Sequence, residues 1–475
     1  MTSPGALFPC GNTRREFFTQ LGNGFFGTAL CWLLAQEGLL ASEPFGYGKE
    51  PRPHHNPRAK ACIFLFMVGG PSHMDTWDPK PELTRLNGQN HTFSPTARIG
   101  ITPRSSGPLR GSPFKFPRSG QSGIPVTDIM PNLATCVDDL CVIRSLHTDT
   151  AAHGAACLQM NTGFPRPGFP SMGAWATYGL GHSNQNLPGF VVLGADTPPF
   201  GRAVNWSSGF LPKRFEGTAL ASGATPVANL QPASNRTPDE QRYQLDLLHS
   251  LNRQHFERDP GNSELSARIA SYELAFRLQS SAPEAVDLSR ESDRVQRLYG
   301  IDRRETEPFG RKCLLARRLV ERGVRFVELF HQYWDSHEFE ESMLRKNCGE
   351  IDAPIAGLLK DLKQRGLLDE TLVVWGGEFG RSPILGGSIE HGGRDHHANA
   401  FSMWIAGGGI KGGHIHGQTD DFGYGVVRDP VHVHDLHATL LHQMGIDHER
   451  LTFRHNGRDF RLTDVGGQVV RDIIA

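Results

Sequence analysis

Ala61 to Val68 (ACIFLFMV) is an unbroken apolar run of strand length that stops at Gly69-Gly70-Pro71. A strand apolar on both faces belongs in the middle of a sheet covered on both sides. Other strand-length segments recur at Asp139 to Leu146, Phe190 to Gly194, Leu372 to Trp375 and Phe401 to Ala406, and Val324 to Phe330 alternates into a strand. Between them the period changes to that of helices. Arg311 to Arg322 sets Leu315 and Leu319 one turn apart, and Asp352 to Arg365 gathers Ile355, Leu358, Leu359 and Leu362 on one face. Asp435 to Met444 does the same with Leu436, Leu440 and Leu441, and Thr150 to Thr162 reads as a helix leading to Gly163. Helical patterns dominate from Pro238 to Tyr299, whereas Leu86 to Gly123, rich in Pro, Ser, Gly and Arg, reads as a long loop. Strands alternating with helices predict an α/β fold around a mainly parallel sheet.

The ends of the chain refine this picture. Arg14-Arg15 followed by Phe17-Phe18 and the apolar run Phe25 to Leu40 has the order of a twin-arginine (Tat) export signal rather than a membrane span. This predicts a signal over residues 1–42, a linker over 43–58 and one domain over 59–475, with a loop-rich insertion at about 200–236. The expected location is the periplasm or another exported site. The Tat translocase is the expected partner during export, with no stable membrane span after signal removal. A net charge of -1 and a pI near 7.1 argue against a nucleic-acid partner. The cysteines outside the signal show no CxxC spacing, so a zinc ribbon is not expected, and their pairing is not readable.

Candidate chemistry gathers where apolar runs end. In an open α/β sheet, ligands bind beyond the carboxyl ends of the strands. Asp75 follows the first strand, Asp335 and His337 follow the run ending at Phe330, Glu378 and Arg381 follow Trp375, and Asp395-His396-His397 precede Phe401. In an extended segment, Asp335 and His337 face the same way, whereas the adjoining His396 and His397 do not. Carboxylates and imidazoles without thiolates suit zinc, manganese, iron or magnesium. Each residue also has a structural use: Asp75 as a cap, Asp335 with His337 as a loop hydrogen bond, Glu378 with Arg381 as an ion pair. The histidines of the tail, His432, His434, His437, His442 and His448, read mainly as caps and solvated groups, with His434 kept as a site candidate.

The twin-arginine start, GGPSHMDTWDPKPEL, WDSH, LLDETLVVWGGEFGRSP, GRDHHANAFSMWIAGGGIKGGHIHGQTDDFG and VHVHDLHATLLHQMGIDHERL resemble the domain of unknown function 1501 family. That family is similar in turn to the alkaline phosphatase and sulfatase superfamily. The resemblance implies a three-layer α/β/α sandwich with a metal site at the carboxyl edge of its sheet. It implies metal ligation by Asp75, Asp335, His337, Glu378 and His396, with zinc, manganese, magnesium or calcium as the divalent ion. Arg381 is then expected to face the anionic group. The nucleophile position, counted back from Thr162-Gly163, falls on His153, and the cysteine motif of formylglycine sulfatases is not present. His153 is open to four roles: nucleophile, proton shuttle, additional ligand or structural histidine. Thr150 and Ser72 are alternative nucleophiles. The expected function is an exported metal-dependent hydrolase of phosphate or sulfate esters, whose anionic ester substrates include sulfated or phosphorylated glycans. The alternative is a non-catalytic envelope binding protein on the same scaffold.

Overall fold

All seven residues of β1 (Ala61–Met67) are buried, and the reason is visible on either side of it. β1 pairs in parallel with β6 (Thr371–Gly376) and with β5 (Phe326–His331). The computed structural model describes residues 52–94, 104–181, 184, 186–221, 240, 242–244, 246–248, 250–251, 284–388 and 391–475. The predicted export signal, most of the linker, the end of the insertion and most of the stretch from Pro238 to Tyr299 lie outside the described residues. The described residues belong to one compact unit.

The other strands of the main sheet are β2 (Leu140–His147), β3 (Phe190–Leu193), β4 (Thr218–Leu220), β9 (Phe401–Ala406), β10 (His414–His416) and β11 (Val431–His432). Among the described residues the order is β10-β2-β9-β6-β1-β5-β3-β4, with β11 also beside β2. Successive residues of a strand point to opposite faces, and β1 divides accordingly. Ile63, Leu65 and Met67 join one core with α3 (Glu307–Glu321) and α4 (Glu340–Gln364). Cys62, Phe64 and Phe66 join a second core with α1 (His153–Thr162), α2 (Met172–Leu180) and α5 (Val433–Gln443). The result is the expected three-layer α/β/α sandwich.

Among the described strands of this sheet, β9 alone runs against its neighbours. The chain leaves the carboxyl end of β6 at Gly376 and makes the hairpin β7 (Gly380–Gly386) and β8 (Gly393–His397). It then re-enters the sheet from the same edge as β9. That return is what keeps Asp395 and His396 at the edge where β1, β5 and β6 end.

One sequence expectation needs adjustment. The helix predicted from Asp352 is the second half of the 25-residue α4. Asp352 does not start it: its carboxylate accepts the backbone N–H groups of Asn132 (2.9 Å) and Leu133 (2.7 Å), capping a neighbouring 3-10 turn instead. The six cysteines outside the signal are free and buried. No helix among the described residues is long and apolar enough to cross a membrane.

Candidate metal centre

The loop leaving β5 carries Asp335 and His337, and it is fixed on both sides. Trp334 N–H donates to Val68 O (3.1 Å), and Arg394 N–H donates to Ser336 O (3.1 Å). Gly69, at φ +118°, lies directly under this loop. A Cβ there would sit 2.3 Å from Asp335 N, so this position requires glycine. The Gly69 N–H donates to both carboxylate oxygens of Glu378 (3.0 and 3.1 Å).

Asp335 is the hub. Its Oδ1 lies 3.1 Å from His337 Nε2 and 3.2 Å from His396 Nε2. Its Oδ2 lies 3.2 Å from His153 Nε2. The two imidazole nitrogens His337 Nε2 and His396 Nε2 face each other at 2.9 Å. Ligand atoms of His153, Asp335 and His396 all fall within 4.8 Å of one another.

What each ring does with its other nitrogen sets the chemistry. His153 Nδ1 meets Glu378 Oε1 at 2.6 Å, His337 Nδ1 meets Asp395 Oδ1 at 3.1 Å, and His396 Nδ1 meets the Ala151 carbonyl at 2.8 Å. All three partners accept, so in each neutral ring the proton sits on Nδ1 and the lone pair on Nε2. With all three rings neutral, three lone pairs and a carboxylate would converge on one point. That is the arrangement of metal-bound histidines, whose outward N–H is held by a carboxylate or carbonyl. The donor set fits a divalent ion. His153 Nε2 is buried, and it lacks a hydrogen-bond partner despite the nearby Asp335 oxygen.

Electrostatics point the same way. Hydrogen bonds to Asp335 and then Asp395 push His337 up to about 9. Burial opposes charge on His153, but the adjacent Asp335 and Glu378 carboxylates prevail and hold its pKa above the ordinary range. Burial also works against the charged form of Asp335, yet the three histidines and Arg381 keep it far below the usual carboxylate range. In His396, burial dominates and lowers the pKa. The cluster therefore stabilises added positive charge.

The remaining predicted residues lie around this centre rather than in it. Asp75 is fully buried in an ion pair with Arg394, Nε to Oδ2 at 2.7 Å, and also accepts from the Ser72 hydroxyl. Its carboxylate is occupied by a permanent cation, which is why it does not join the histidines. Glu378 is fully buried behind His153, its oxygens taken by Gly69 and the His153 ring. Arg381 is also fully buried. It donates to the carbonyls of Gly70 (2.9 Å), Arg394 (3.1 Å), Trp334 (3.2 Å) and Gly69, and to Asp335 Oδ1 (2.7 Å). This guanidinium anchors Asp335 and the loop backbone.

His397 points away, as its adjacency to His396 requires, toward the Tyr424 carbonyl. The tail histidines have other duties. His432 Nδ1 accepts the His434 N–H (3.2 Å) in a capping box, which leaves Nε2–H for Asp149 (3.3 Å), the opposite tautomer to the cluster rings. His434 Nε2 is bonded to the Gly163 carbonyl. Two contributors escaped sequence reasoning. The Ala151 carbonyl carries no side-chain signal, and Phe200, stacked on His153 at 4.6 Å, sits in an insertion without periodicity.

The family described as protein of unknown function (DUF1501) matches residues 59–474. Similar solved structures include a sulfatase from Pseudoalteromonas sp., at 13% identity and TM-score 0.37, covering 85% of this chain and 70% of that one. A lipoteichoic acid synthase from Listeria monocytogenes is 9% identical at TM-score 0.35, covering 86% and 76%. An alkaline phosphatase from the Antarctic bacterium TAB5 is 12% identical at TM-score 0.31, covering 74% and 92%. No curated protein matches the chain.

Proposed function

The chain belongs to the family described as protein of unknown function (DUF1501), and from its site we propose an exported, divalent-metal-dependent hydrolase of phosphate or sulfate esters. One observation carries this reading: three imidazoles, each with Nδ1 engaged by an acceptor, turn their Nε2 atoms onto the Asp335 carboxylate. His153, Asp335, His337 and His396 would hold the ion. Three imidazoles and one carboxylate suit zinc or iron better than magnesium or calcium, with manganese between them. A divalent ion there supplies Lewis-acid polarisation of an ester oxygen.

The chain's own groups have separate tasks in this reading. Glu378, Asp395 and the Ala151 carbonyl orient the three rings. Arg381 fixes Asp335 and is spent on that role, so it does not reach the substrate anion. His153 has Nδ1 committed to Glu378 and Nε2 turned to Asp335, so it binds the ion rather than attacking the ester. Water is the attacking group, and the products are the alcohol and the free oxyanion. Export by the twin-arginine route rests on Arg14-Arg15 and the apolar run after them.

A second reading has its own support. Arg381, the guanidinium placed in the sequence to face an anion, is consumed by backbone carbonyls, as suits an ion-binding envelope protein without turnover. One experiment separates the two. The purified full chain is stripped with a chelator, reloaded with zinc, manganese or iron, and offered a panel of aryl and sugar phosphates and sulfates. Turnover that returns only with metal supports the hydrolase. Stoichiometric metal binding without turnover on any ester supports the binding protein, and turnover equal with and without metal overturns the metal role.

A further inference from the structure

Phe200 faces two ways. Its inner face stacks on His153, with ring centres 4.6 Å apart and planes 13° from parallel, yet the side chain is 48% exposed. A second exposed ring belongs to the loop that carries Asp335: Tyr333, 64% exposed. Its φ of 74° is one that bulky residues rarely adopt. Asn347 holds that backbone by donating to the Tyr333 carbonyl (2.6 Å), and Gln332 donates to Thr197 O (2.6 Å), tying this loop to the segment that bears Phe200. Open aromatic surface and a strained backbone each cost stability, and such costs concentrate where a site uses them.

We propose that Phe200 is a specificity-determining residue: it receives the flat ring of an ester whose anionic group lies at the histidine–Asp335 cluster. This rests on the hydrolase reading above. The shared ligand chemistry is a six-membered ring with an apolar face, which an aryl group and a pyranose both present. Phe200 offers the stacking surface. The inner contact with His153 keeps the platform at a fixed position relative to the cluster.

The test measures binding, not turnover. The zinc-loaded full chain is titrated in a calorimeter with phenylphosphonate, the 6-phosphonate analogue of glucose 6-phosphate, and ethylphosphonate, together with the matching sulfonates. The wild type is expected to bind at least one ring-bearing probe about fivefold or more tightly than its ethyl counterpart. Phe200→Leu, which still covers His153 but has no π face, is expected to erase that preference while zinc content stays at the wild-type value. The probe whose advantage disappears identifies the ring as aryl or sugar. A Leu variant that keeps the ring preference overturns the proposal, as does a wild type that binds ring and ethyl probes alike. If no probe binds in a zinc-dependent way, the hydrolase reading fails first and this proposal with it.

Discussion

Glu378 Oε1 and His153 Nδ1 lie 2.6 Å apart, and both Glu378 oxygens also take the N–H of Gly69. One buried carboxylate thus sets the tautomer of a histidine on α1 and grips the loop at the end of β1. The bond to Nδ1 is what leaves the His153 Nε2 lone pair directed at Asp335. Glu378 acts on the centre through His153, as a positioning residue.

Glu378→Gln should therefore weaken metal binding without abolishing it. The amide keeps the shape but no longer demands a proton on Nδ1. Outer-sphere partners of metal-bound histidines typically contribute about 10- to 100-fold in affinity. Asp335→Ala or His396→Ala removes a ligand and should reduce stoichiometric binding to background. Competition titration against a chromophoric chelator reads both. Equal losses from Glu378→Gln and Asp335→Ala would contradict the division between ligand and support.

Metal affinity should rise with pH through neutrality. His337 stands at about 9 in the ion-free protein, so at pH 7 its ring is protonated and a proton must leave when the ion binds. Raising the pH removes that competitor, and apparent affinity climbs by up to about tenfold per pH unit until the ring titrates. Asp395→Asn takes away one of the two carboxylates that raise His337, so the climb should end at lower pH. Affinity independent of pH between 6 and 9, measured by chelator competition, would exclude His337 as a ligand.

Much of this was legible in the chain, and the omissions have physical causes. Continuous apolar runs mark strands covered on both faces, so β1, β6 and β9 stand out, and alternation picks out β5. Residues just beyond such runs lie at the sheet edge, which brought Asp335, His337 and His396 into view. What a run cannot say is who meets whom across it. Asp75 ends the most apolar strand, yet its partner Arg394 lies 319 residues away in β8. Arg381 looked free for an anion because its acceptors are backbone carbonyls, which leave no mark in a sequence. The periodicity places a helix start at Asp352, but that carboxylate caps another segment and α4 begins at Glu340.

Asp75 should prove structural. Removing one partner of a buried ion pair leaves the other charge uncompensated and typically costs about 3–5 kcal/mol. Asp75→Asn strands Arg394, which is itself fully buried and otherwise reaches only Glu340 at 3.3 Å among carboxylates. The variant is expected to show a clear drop in the urea midpoint. Its folded fraction should still bind metal with near wild-type affinity. An unchanged midpoint with lost metal binding would place Asp75 in the first coordination sphere instead.

Acid should unfold the protein partly through two buried histidines outside the histidine–Asp335 cluster. Burial holds His73 at about 4 and His437 at about 3. Each ring has Nε2 on a carbonyl, that of Gly423 or of Met160, while its Nδ1 is buried without a hydrogen-bond partner. The folded chain therefore keeps both rings neutral, whereas the unfolded chain protonates them near 6.5. With folded pKa values depressed, their stabilising contribution is complete above pH 6.5 and is lost as pH falls toward 4. The loss reaches about 3 kcal/mol for each ring by the linkage relation. Glu340, pushed up to about 7 by burial, works in the opposite sense over the same range, so the decisive measurement is a difference between proteins. His437→Gln keeps a donor for the Met160 carbonyl but cannot titrate. Its melting temperature should fall less steeply than that of the wild type between pH 6.5 and 4, and parallel curves would refute the assignment.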